Sequence, residues 1–106
     1  MITGEAPVAE MLAEMTATSL EASTLSAREL MIARIAALAA VEAPSVSYAL
    51  NLGAADLAGL TLADTQGILV AVAPLIGTPR VVAACAGLAE GVGYVISTGE
   101  RETDGD

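Results

Sequence analysis

The chain contains no histidine, no lysine, no phenylalanine and no tryptophan, and its one cysteine is Cys85. Each absence excludes something. A lone cysteine forms no internal disulfide, and without histidine or a second cysteine there is no ligand spacing that holds zinc, so no metal and no other cofactor is expected. Four basic residues, all arginine, face thirteen acidic ones, for a net charge of −9. A nucleic-acid binder needs a basic footprint and an anionic membrane attracts basic segments, so neither partner is expected. The acidity itself reads as a device for solubility.

With aromatics at 2% and apolar residues at 55%, a core must be assembled from Ala, Val, Leu, Ile and Met. Such side chains let helices approach closely, but each buries little area. At roughly 25 cal/mol per Å² of apolar surface, an Ala-rich monomer of this size is marginal, and association with further copies of itself is the natural remedy. The amino-terminal MITGEAPVAEM has no basic start and carries Glu5 and Glu10, unlike a signal peptide. The longest uncharged runs, Thr65 to Pro79 and Ala43 to Ala55, fall short of the ~20 residues of a spanning helix and contain Pro or Gly. A soluble, cytoplasmic protein is expected.

What is present reads as an all-α chain of five helices with short loops. Val8, Met11, Leu12 and Met15 recur at helical spacing after Pro7, with Glu5 and Glu10 near the positive end, which predicts a first helix over about Pro7 to Leu20. Ser26 and Glu29 form a capping box and Leu25 and Leu30 its staple, so a second helix runs from Ala27 to about Glu42. It is apolar nearly all round, and Arg34 in its middle needs a carboxylate such as Glu42 or an exit to solvent. Pro44 breaks it. Ser45 or Ser47 caps a third helix to about Ala58, with Gly59 as its C′ residue and Leu60 making the Schellman contact. Thr61 and Asp64 start a fourth helix, Leu62 to about Leu75, which Pro74 kinks or ends. Gly77-Thr78-Pro79 opens a fifth, Pro79 to about Ile96, with Val81, Val82, Cys85, Leu88, Ala89, Val92 and Val95 as its apolar set and Gly91 and Gly93 weakening its second half. Residues 1–96 are thus one helical domain, and 97–106 read as a disordered acidic tail.

The segments LSARELMIARIAALAAV and SYALNLGAADLAGLTLADTQGILVAVAPLIGTPRVVAACAGLAE, about Leu25 to Glu90, resemble the carboxymuconolactone decarboxylase family, which also holds the alkylhydroperoxidase D proteins. The resemblance rests on the capped R-E-L helix, the A-G-L-T helix break and the apolar helix that ends in G-T-P before a valine-rich one. It implies a carboxymuconolactone decarboxylase-like helical domain that assembles as a homotrimer or homohexamer, with lyase-like or oxidoreductase-like chemistry. In the redox branch of the family a C-x-x-C pair falls on the positions of Pro44 and Ser47, and a His, shared with the decarboxylase branch, on that of Asn51. Neither Pro nor Ser supplies a thiol for a dithiol peroxidase cycle, and Asn cannot exchange a proton near neutral pH. The resemblance therefore points to a branch outside both chemistries.

The candidate site residues are Asn51, Ser47, Tyr48 and Glu29 in catalytic roles and Arg34 as a substrate anchor. Ser47 and Asn51 share a helix face, and with Tyr48 they could form a small polar pocket for a ligand carbonyl or carboxylate. They could equally be a cap, a packing residue and a helix tie. The resemblance places a functional Glu near Glu29, which the capping box also explains. Cys85 reads as packed core. Three functions follow: a small-molecule enzyme or binder with its pocket at Ser47, Tyr48 and Asn51; a non-catalytic oligomeric module; and a peroxiredoxin-type activity inferred from the family alone.

Overall fold

The structure, a computed structural model, describes residues 6–104, with side chains described for 7–93. These residues form five α-helices and no strand: α1 Ala6–Ala22, α2 Ala27–Ala40, α3 Ser45–Leu57, α4 Leu62–Ile76 and α5 Thr78–Asp104. The all-α class is as expected. Glu5 and the side chain of Val95, both used in the sequence reading, lie outside the described residues.

Local chemistry fixes the helix ends. At α2 the Glu29 N–H donates to Ser26 Oγ (3.1 Å) and the Ser26 N–H to Glu29 Oε1 (2.9 Å). At α4 the Asp64 N–H donates to Thr61 Oγ1 (3.1 Å) and the Thr61 N–H to Asp64 Oδ2 (2.9 Å). Both boxes satisfy N–H groups that the helix leaves open. The turn between α3 and α4 is a Schellman motif: the Leu60 N–H donates to Ala55 O (2.9 Å) and the Gly59 N–H to Asp56 O (3.0 Å), with Gly59 at φ 89°. Leu60 then packs beside Ala55 in the core, the apolar contact that accompanies this motif. Arg28 clamps the same turn from α2, donating to Gly59 O (3.0 Å) and pairing with Asp64 (3.3 Å).

Three boundaries differ from the sequence reading. Neither Ser45 nor Ser47 caps α3; Pro44 occupies the N-cap with φ −68° and ψ 159° and makes no side-chain bond. Its ring already holds the extended geometry that an N-cap requires. α2 closes at Ala40 with the same six-residue motif as α3, but the left-handed C′ position is filled by Glu42 at φ 54°. Gly would sit there without the penalty of a Cβ. At the other end of the chain α5 runs on to Asp104, past the expected end near Ile96, so the segment read as a disordered tail is helical as far as Asp104. No Pro follows Pro79, and Glu100, Arg101 and Glu102 favour helix, which offsets the cost of the glycines.

The core forms two adjoining clusters that share helices α2, α3 and α4. Met31 and Ile35 of α2, Ala55 of α3, Leu60 and Ile68 make the first. Ala39, Tyr48, Leu69, Ala84 and Leu88 make the second. Tyr48, 1% exposed, is the largest side chain fully enclosed among the described residues, and α5 admits it through a notch. A Cβ on Gly87 would stand 2.7 Å from Tyr48 Cε2, and one on Gly91 3.1 Å from Tyr48 Cβ. The buried line of α5 is therefore Ala84, Gly87, Leu88 and Gly91; of the expected apolar set Leu88 is in it, while Val81 and Val92 are half-buried. Val82 and Cys85 are exposed, a correction to the reading of Cys85 as core. Small residues line the buried face because the tyrosine ring fills the space.

α1 stands apart. No Cα of α1 lies within 8 Å of a Cα in another helix among the described residues, and its stripe of Val8, Met11, Leu12 and Met15 is exposed. No single described helix is long and apolar enough to cross a membrane; α3 and α4 pass that test only as a pair, bent by 119° at their junction.

Two outcomes follow from this packing. Gly87→Ala forces the buried ring to shift and destabilises the chain by about 1–3 kcal/mol, whereas Gly67→Ala, in open space on α4, stabilises it by about 1 kcal/mol; urea titrations measure both. The capping bonds hold the Glu29 and Asp64 carboxyls below their ordinary values of 4.5 and 3.8, through hydrogen bonding to Ser26 and Thr61 respectively, with Arg28 aiding Asp64. Lowered folded-state values contribute stability that is present above the unfolded values and is lost as pH falls below them. Glu29→Gln with Asp64→Asn should flatten the fall in stability below about pH 4.5, measured as denaturation midpoints against pH; an unchanged slope refutes the assignment.

Candidate functional site

Two of the five candidate residues that the sequence offers, one on α2 and one on α3, line the same groove. Arg34, in the middle of α2, and Asn51, in the middle of α3, line one open groove of about 360 Å³ together with Met15, Thr16 and Ser19 of α1 and Leu38 of α2. Arg34 faces outward from the core side occupied by Met31 and Ile35, because it falls on another side of the helical wheel. Its Nη2 donates to Ser19 Oγ at 3.1 Å. The anticipated carboxylate partner is not there: Glu42 lies 3.9 Å from Arg80 instead, and Arg34 makes no ion pair among the described residues. In a chain of net charge −9, a half-buried cation held only by a hydroxyl is free to take an anion.

Asn51 is half-buried, and its Nδ2 donates to the Ser47 carbonyl at 2.8 Å, one turn back. The amide is thereby anchored to its own helix with its oxygen left over. Ser47 enters the arrangement through its backbone carbonyl. Tyr48 does not enter at all. One residue on from Ser47, it points into the bundle, and its hydroxyl is buried with no hydrogen-bond partner. Burial raises the phenol above its ordinary value of 10, and charge on Cys85 would raise it further. Glu29 is likewise absent from the groove: it sits on the first turn of α2, exposed, with a carboxylate oxygen spent on the cap. Of the five candidates, then, Arg34 and Asn51 meet, Ser47 supports Asn51, and Tyr48 and Glu29 have other places.

Ser19 was not among the candidates. It comes from α1, and nothing in the spacing of a helix that stands clear of its neighbours announces a bond to residue 34. A second groove between α4 and α5, about 350 Å³, is lined by Leu62, Thr65, Gln66, Leu69, Cys85 and Val92. Thr65 there is satisfied by donating to Leu62 O at 2.8 Å. No group of His, Cys, Asp and Glu side chains among the described residues has the arrangement of a metal site.

With a guanidinium, an amide and hydroxyls, the Arg34 groove can bind and orient an anionic or carbonyl oxygen. Among the described residues that line it, none is suited to proton transfer near neutral pH. No family model, curated protein or solved structure matches the chain.

The placement of Tyr48 is directly testable. A buried hydroxyl without a partner carries a desolvation cost of about 1–3 kcal/mol. Tyr48→Phe should therefore leave stability unchanged or raise it by about 1 kcal/mol, read from the midpoint of a urea titration; a loss beyond that would mean the hydroxyl has a partner.

Proposed function

We propose that the chain is a carboxymuconolactone decarboxylase-like protein that, as a homotrimer or homohexamer, binds a small carboxylate or carbonyl compound in the Arg34–Asn51 groove. The observation that carries this reading is that Arg34 and Asn51, from separate helices, line one groove where Arg34 has no acidic partner among the described residues. The order of the capped R-E-L helix, the A-G-L-T break and the G-T-P junction supports the family. Dithiol peroxidase chemistry is not part of the proposal, since Cys85 is the only cysteine. Recognition would rest on neutral and cationic donors: guanidinium to carboxylate, with the Asn51 amide and the Ser19 hydroxyl fixing orientation.

A second reading, a non-catalytic oligomeric module, is favoured by a different observation: large apolar side chains such as Leu50, Leu57 and Leu75 are exposed. The two readings separate by titration. Acetate, benzoate and malonate, added to the isotope-labelled chain, should shift amide resonances at Ser19, Arg34 and Asn51. Arg34→Ala should weaken the best of them about tenfold or more, the worth of one charged hydrogen bond, with the oligomer intact. If no carboxylate shifts those amides, or if Arg34→Ala and Asn51→Ala titrate like the parent chain, the binding reading fails and the oligomeric module remains.

A further inference from the structure

The bonds that the groove residues already make decide what each can still offer. Arg34 spends one N–H, from Nη2 to Ser19 Oγ, and a guanidinium carries five such donors. Ser19 accepts that bond and gives none among the described residues, so its own O–H is still to be donated. Thr16 lines the same groove, but its hydroxyl already donates to Leu12 O at 3.0 Å. The Arg34 side of the groove therefore offers donors around a positive charge, which suits a carboxylate.

Asn51 offers the opposite. A backbone carbonyl can only accept, so the 2.8 Å contact with Ser47 O fixes which way the amide is turned. Nδ2 is held to its own helix, and Oδ1 is the atom left without a partner. The only enclosed side-chain polar atom lacking a partner among the described residues is the Tyr48 hydroxyl, so Oδ1 is reachable from outside. Asn51 thus brings an acceptor to a groove otherwise supplied with donors, and an acceptor in a binding site selects a donor on the ligand.

Charge narrows that donor. An ammonium group would sit near the Arg34 guanidinium and be repelled by it. A hydroxyl donates without charge. Met15 and Leu38 give the groove, about 360 Å³ in volume, an apolar wall, against which a short alkyl chain loses its contact with water.

We infer that the groove takes a short aliphatic hydroxy acid, its carboxylate on Arg34 and Ser19 and its hydroxyl donating to Asn51 Oδ1. Asn51 is then the residue that separates the hydroxy acid from the plain acid. This preference rests on the carboxylate reading of the same groove and names its ligand class.

Titrations of the isotope-labelled full chain with butyrate and with 2-, 3- and 4-hydroxybutyrate test it, read at the backbone amides of residues 19, 34 and 51. The isomer whose hydroxyl reaches Asn51 should bind about fivefold more tightly than butyrate, the net worth of one neutral hydrogen bond. Its methyl ether, which keeps the oxygen but lacks the O–H, should fall back to butyrate or below. In Asn51→Ala, checked by helical circular dichroism, the hydroxy acid should lose its advantage over butyrate. If that variant does not fold, the alcohol against its ether in the parent chain carries the same test. An ether as tight as the alcohol overturns the inference, because the ligand oxygen would then be accepting. So does an advantage that survives Asn51→Ala. Butyrate that binds with no hydroxy isomer ahead of it overturns the hydroxyl contact and leaves the carboxylate reading standing. No shift with any of the acids overturns both.

Discussion

The bundle is organised around the fit of the Tyr48 ring into the Gly87–Gly91 notch of α5. In a chain without Phe or Trp, this one ring supplies bulk that the aliphatic side chains do not, and two missing side chains on the facing helix make room for it. The fit sets how closely α3 and α5 approach. It brings Ala84 and Leu88 against Leu69 and Ala39 in the same cluster. It also fixes the rotation of α3, and so decides which residues that helix turns outward. Val46, Leu50 and Leu57 reach solvent because Tyr48 points the other way, and Asn51, about 60° round the helix from Tyr48, sits half-buried at the edge of the core, where it lines the groove with Arg34.

The second constraint is electrostatic and local. Arg28 joins the carbonyl at the end of the α3–α4 turn to the carboxylate that caps α4. The pair is largely exposed and contributes modestly to stability. Its geometric effect is larger, since it ties the start of α2 to the turn that sets the direction of α4. Arg34, two turns further along α2, has the same chemistry without the acid, and that difference separates a structural arginine from a candidate ligand contact.

The parts of the fold legible in the sequence are those decided by neighbours in the chain. Ser26 with Glu29, Thr61 with Asp64, and Gly59 with Leu60 announce their helix ends because the bonding partners lie within a few residues. The buried face of α5 was legible only at Leu88. Val82 and Cys85 are more hydrophobic than Gly87 and Gly91, yet the glycines are inside, because a ring from another helix occupies the volume. The same long-range effect hid the place of Tyr48: as a polar-tipped residue between Ser47 and Asn51 it looked like part of a site, while its helical phase sends it into the core. Arg34 was legible as a lone charge on an apolar helix, expected to find a carboxylate or solvent, and Asn51 as the chain's single asparagine. Their meeting depends on how α2 and α3 cross, and the bond from Ser19 depends on where α1 lies.

The enclosure of Tyr48 also has an optical consequence. In a chain without tryptophan, ultraviolet absorption and emission come from tyrosine alone, and one of the two tyrosines sits at the contact between α3 and α5. Its phenol is shielded from water and from quenchers as long as the two helices stay together. Movement of α3 off α5 would wet that ring before any helix unwinds, so the emission of Tyr48 is a built-in gauge of helix separation, distinct from the far-ultraviolet dichroism that reports helix content.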